Sequence, residues 1–153
     1  MTTSLLDVTA SVRACVIAFE GELFALDVTA VREVVVFEDW KAVPLAPAHV
    51  IGIANLRGAV VPIVDARAAL RLPARHPERR LHTLIVAADG LEAAIVVDGV
   101  VALEAFGDIG ATDGSSAAAH GALVRGVVDR AGRPVPLLDA GRLLSALRPA
   151  PGE

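Results

Sequence analysis

The chain has 153 residues, room for one domain or two small ones packed together, and its single Cys15 excludes an internal disulfide or a multi-cysteine zinc centre. Hydrophobic residues make up 54% of it and aromatics 3%, with a mean hydropathy of +0.59. Even so, charged residues interrupt every apolar run before the roughly 18–20 residues needed to cross a bilayer, and a formal net charge of −4 gives no electrostatic basis for nucleic-acid binding.

Residues 1–12 are mostly small or polar and are expected to form a flexible tail, as are 148–153. Asp7 falls where a secretory leader would run uninterrupted, so a cytoplasmic location is expected. Residues 13–19 alternate and are rich in β-branched side chains; a Glu20-Gly21-Glu22 turn then leads into 23–28, which predicts a hairpin. The valine-rich 30–37 reads as a further strand, broken off by Pro44 and Pro47. Residues 60–64 read as a strand containing Pro62. Proline donates no ladder hydrogen bond, so that strand is expected at a sheet edge or a bulge. Asp65 stands in the N-cap position of a short helix over 66–70.

Residues 71–82 hold two prolines and four arginines and read as an exposed loop between halves. Asp89-Gly90 is a hairpin turn joining 83–88 to 91–97, and Asp98-Gly99 offers a second turn or a bulge before 100–106. The Gly, Ala, Ser and Asp of 107–121 predict a loop. A last hairpin joins 123–128 to 133–138 around Arg130-Ala131-Gly132, and Asp139 should cap a helix over 140–147. Short strands with turns every eight to twelve residues or so argue for small barrels or sandwiches rather than a doubly wound sheet.

The chain also repeats itself. Placing Val50 on Val124, an offset of 74 residues, sets Gly52 on Gly126, Gly58 on Gly132, Pro62 on Pro136, Asp65 on Asp139 and Leu70 on Leu144. The two copies, near 50–70 and 124–144, imply two related half-domains sharing one core within a single domain over 13–147. The first copy carries Arg57 at its turn where the second has Ala131. An arginine kept on one half of a pseudo-symmetric apolar body points to recognition more than to folding.

Catalytic and metal-binding patterns are sparse. His49, His76, His82 and His120 show no metal-ligand spacing, and Cys15 lies inside an apolar strand, where it reads as a small buried hydrophobe. No nucleophile elbow or phosphate-binding glycine loop occurs. Asp65, Asp98 and Asp139 each follow an apolar strand, where turns and caps account for them. The arginines of 71–80 lack interleaved aromatics. No enzyme, metal site or cofactor is expected, and the pattern is that of a binding protein.

The stretch from Gly52 to Asp65 (Gly-Ile-Ala-Asn-Leu-Arg-Gly-Ala-Val-Val-Pro-Ile-Val-Asp) closely resembles the CheW-like family of bacterial chemosensory adaptors. The segment from Phe24 to Val34, the Pro44 to Pro47 lead-in and the Val-Asp-Gly-Val of 97–100 are similar to the family in the same order. Ala94 departs from it, standing where glycine is frequent. The resemblance implies a mainly β fold of two five-stranded SH3-like barrels sharing an apolar core. It further implies a non-catalytic adaptor coupling the cytoplasmic tip of a methyl-accepting chemoreceptor to the regulatory domain of a histidine autokinase, recruited to membrane-associated arrays without inserting in the membrane. By position, Glu33 and Arg57 match charged coupling positions, and Val28, Val31, Gly52 and Leu84 match positions lining receptor and kinase contacts. Residue by residue the plainer readings stay open: a solvated strand residue for Glu33, a surface arginine for Arg57, core for Val28, Val31 and Leu84, and a positive-φ turn for Gly52 and Gly58. A diverged barrel that binds a small ligand, or serves another signalling partner, is the alternative.

Overall fold

A computed structural model describes residues 12–74, 78–111 and 121–148; the expected tails over 1–12 and 148–153 lie almost wholly outside them. Ten strands and one helix follow in order: β1 (Val12–Phe19), β2 (Glu22–Asp27), β3 (Val31–Phe37), β4 (Val50–Leu56), β5 (Ala59–Val64), β6 (Leu81–Ala88), β7 (Leu91–Val96), β8 (Gly99–Phe106), β9 (Val124–Arg130), β10 (Arg133–Leu138) and α1 (Ala140–Leu147). They form two five-stranded sheets, ordered β8-β1-β2-β10-β9 and β3-β6-β7-β5-β4. Each curls until a bridge just beyond one edge strand reaches the other edge: Gly110 to Val127 in the first, Lys41 to Ile53 in the second. The outcome is the expected pair of small barrels, here barrel I and barrel II.

The two halves of the chain do not map one-to-one onto the barrels. Barrel II is contiguous, β3 through β7, whereas barrel I joins β1 and β2 to β8, β9 and β10. Each barrel contains one short parallel pairing, Leu137 with Ala25 in one and Ile63 with Ala94 in the other.

The hydropathy of the sequence follows from this assembly, because strands β1, β2, β6 and β7 are buried on both faces. In β1, Val12, Ala14 and Val16 fill barrel I, while Cys15, Ile17 and Phe19 point into a core shared with barrel II. In β6, Leu81 and Ile85 fill barrel II, while Leu84 and Val86 face the shared core. Leu143, Leu144 and Leu147, one face of α1, close that core. Cys15 is 1% exposed, and burial pushes its thiol up, as suits a small hydrophobe and not a nucleophile.

Two local expectations are corrected. Pro62 lies in β5, an interior strand of barrel II. It is tolerated because its partner Ile53 turns both backbone groups away toward Lys41, and the β7 pairing begins only at Ile63, so no ladder bond is lost at Pro62. The segment 66–70 is a single hydrogen-bonded turn instead of a helix. Leu70 donates to Ala66, but Arg71 turns left-handed at φ 62° and Pro73 follows, which ends it. Asp139 caps α1 as expected, its carboxylate accepting from the Arg142 amide at 2.9 Å.

Candidate functional site

The β4–β5 hairpin turns on two residues, Arg57 at φ 52° and Gly58 at φ 90°, the left-handed pair that a two-residue hairpin requires. Asn55 stabilises it by accepting from the Gly58 amide at 2.9 Å. The equivalent turn of barrel I repeats the geometry with Ala131 at φ 51° and Gly132 at φ 85°. The backbone conformation therefore does not call for arginine at position 57, and its side chain is 71% exposed.

That side chain reaches Glu33 on β3. Both Nη atoms of Arg57 donate to the two carboxylate oxygens of Glu33 in a bidentate pair. The hydrogen bond from Arg57 holds the Glu33 carboxyl below the ordinary range, and Glu33 in turn raises the guanidinium. Strands β3 and β4 are the two edges of the barrel II sheet, so the pair crosses the seam where the barrel closes. Spacing alone gave no sign that residues 33 and 57 would meet.

On the outer face of β3, opposite the side on which Glu33 stands, Val34 and Val36 are 54% and 39% exposed. Val28 and Val31 are half-buried at the start of the strand, Val31 packing on the shared core. Leu84 is 0% exposed and belongs wholly to that core, so it presents no surface here. Gly52 is also buried, and its φ is not positive: a Cβ there would lie 2.4 Å from the Lys41 carbonyl oxygen and 2.8 Å from Trp40. The reading of Gly52 as a positive-φ turn is thus corrected; its missing side chain is what lets the closing bridge pass. Gly58 does have the expected left-handed conformation.

Barrel I carries an ion pair of the same kind, Arg130 with Glu104 of β8 at 2.5 Å. Sequence comparison of the two copies missed it because the arginine stands one residue before Ala131. Val101 and Leu103, 45% and 61% exposed, flank Glu104. Among the described residues no three His, Cys, Asp or Glu side chains gather as a metal site, and no helix is long and apolar enough to cross a membrane.

The model of the family described as CheW-like domain matches residues 13–148. The chain is 47% identical over 64 residues to the chemotaxis protein CheW of Rhizobium meliloti, an alignment covering 42% of this chain and 41% of that one. It is 31% identical over 78 residues to the chemotaxis protein CheW of Bacillus subtilis, covering 51% and 50%. These alignments thus span about two-fifths to one-half of the relatives' own length. The crystal structure of the scaffolding protein TtCheW from Thermoanaerobacter tengcongensis superposes with a TM-score of 0.71 at 24% identity, over 84% of this chain and 88% of that one.

Proposed function

The chain belongs to the CheW-like family, and from that premise we propose that it is a non-catalytic adaptor coupling methyl-accepting chemoreceptors to a chemotaxis-type histidine autokinase in the cytoplasm. The observation that carries the reading is the Glu33–Arg57 pair across the barrel II seam, its arginine 71% exposed, on a strand whose opposite, outer face shows Val34 and Val36. A pair so exposed adds little to folding. It presents a fixed charge pattern at the turn, which suits recognition of a protein surface, and the outer valines of the same strand offer apolar area that a partner can cover. Val28 and Val31 border this face and are proposed to take part in it; Leu84 and Gly52 would act from beneath, by shaping the barrel.

Contacts of this size give modest affinity, and an array provides avidity. The test is calorimetric titration of the protein into the regulatory domain of a chemosensory kinase from the same organism. Saturable binding with Kd in the micromolar range or tighter is expected. Absence of binding to every such kinase of that organism overturns the reading.

A further inference from the structure

We propose that Arg67 is a pin that fixes the angle between the two barrels. This inference does not depend on the adaptor reading. Arg67 follows β5 of barrel II and is among the largest side chains that are fully buried, at 2% exposure. Its Nη2 donates to Asp98 Oδ1 at 2.7 Å, its Nη1 lies 3.5 Å from Glu20 Oε1, and its guanidinium carbon is 5.7 Å from the Phe19 ring centroid. Glu20 and Phe19 belong to the β1–β2 hairpin of barrel I. Asp98 stands between β7 and β8, where the chain passes from barrel II to barrel I.

The β1–β2 hairpin and the crossover are also tied to each other. Asp98 accepts from the Glu20 amide through Oδ2 and donates its own amide to Ala18 at 2.9 Å. At the other end, the Arg67 amide donates to Asp65 Oδ1 at 2.9 Å and its carbonyl accepts from Leu72 at 2.8 Å, which fixes the base of the side chain. One guanidinium thus joins barrel II, barrel I and the crossover between them.

An apolar side chain would fill this space with less desolvation, so the contribution of the charge is to geometry. Nε and Nη1 of Arg67 make no hydrogen bond among the described residues, the cost of placing a guanidinium there. The repeat sharpens the point. At the offset of 74 residues Arg67 corresponds to Gly141, where a Cβ would lie 2.1 Å from Asp89 Oδ2. That neighbour is the end of the exposed Asp89 side chain, beside an open cavity of about 470 Å³ lined by Asp27, Asp89 and Gly141, so the opposite junction has space for a side chain that the sequence does not supply. Only one of the two junctions carries a pin.

A cavity of about 170 Å³ lined by Arg67, Glu20, Glu78, Arg80, His82 and Asp98 lies beside the guanidinium and leaves it room to swing once a partner is lost. The test is a spin-label distance measurement on the full chain, with Cys15→Ala as background and labels at Ala59→Cys and Arg133→Cys, two exposed turn-flanking positions, one in each barrel. Arg67→Met is expected to broaden and shift the distance distribution while the far-ultraviolet spectrum and a cooperative melt persist; Arg67→Lys should restore part of the narrow distribution. An unchanged distribution in a folded Arg67→Met overturns the proposal and leaves Arg67 as filler. Should Arg67→Met not fold, Glu20→Ala decides, since it removes the barrel I carboxylate that faces Arg67: broadening supports the pin, and an unchanged distribution overturns it.

Discussion

Arg57 and Gly52 lie five residues apart and owe their identities to opposite causes. Arg57 adds little to folding, so Arg57→Ala is expected to leave the urea midpoint nearly unchanged while weakening kinase-domain binding in the calorimetric titration. Loss of the cooperative melt would make the arginine structural instead. The ion pair has a pH signature. The Glu33 carboxyl is lowered in the folded chain by Arg57, so its contribution is fully present above the ordinary glutamate range and is lost as pH falls through the depressed folded value. The stability difference between the parent and Glu33→Gln should be flat at neutral pH and close only in acid, as urea melts across pH will show. Gly52→Ala drives a methyl against a backbone carbonyl that cannot rotate away, and about 1–3 kcal/mol of destabilisation is expected by the same measurement. Gly126→Ala should cost less, because its nearest neighbour at 2.4 Å is a methyl of the Ile109 side chain, which can move, and the backbone carbonyl of Gly110 comes no closer than 3.0 Å.

At the scale of elements, the hairpins could be read from sequence because each turn pairs a left-handed residue with glycine: Glu20-Gly21, Arg57-Gly58, Asp89-Gly90 and Ala131-Gly132. Turn chemistry is local, and local signals survive into the fold. What the chain hides is partnership. β1 and β6 are apolar on both faces, so no alternation distinguishes barrel interior from shared core, and the sheet order could not be derived. The same ambiguity concealed the outer face of β3, where valines stand on both sides. Arg67 did leave a signal, a charge inside the apolar run 66–70 directly after a strand, but its partners lie 31 and 47 residues away. Arg57 stood out from the asymmetry of the repeat and Glu33 from the resemblance, and their contact came only from the structure. An element-scale prediction follows from the second seam. If Glu104–Arg130 braces barrel I as Glu33–Arg57 braces barrel II, a double-mutant cycle on each pair should give similar and small coupling.

For the molecule as a whole, the shared core makes the two barrels thermodynamic partners. Leu84 touches that core from barrel II and Phe24 and Leu26 do so from barrel I. Leu84→Ala should therefore cost about 2–5 kcal/mol and still give one unfolding transition, coincident by circular dichroism and by Trp40 fluorescence. Two separated transitions would mean that the barrels are energetically independent.

The interleaving of strands has a further consequence, for the order in which the chain is made. Barrel II is complete once β7 has left the ribosome, but barrel I waits for β10, 42 residues later, or roughly 2–8 s at about 5–20 residues per second. Strand β8 follows early in that interval, but until β10 arrives the β1–β2 hairpin keeps one face greasy and the β2 edge open. Nascent chains paused between Phe106 and Val124 would be the ones that chaperones hold and proteases find.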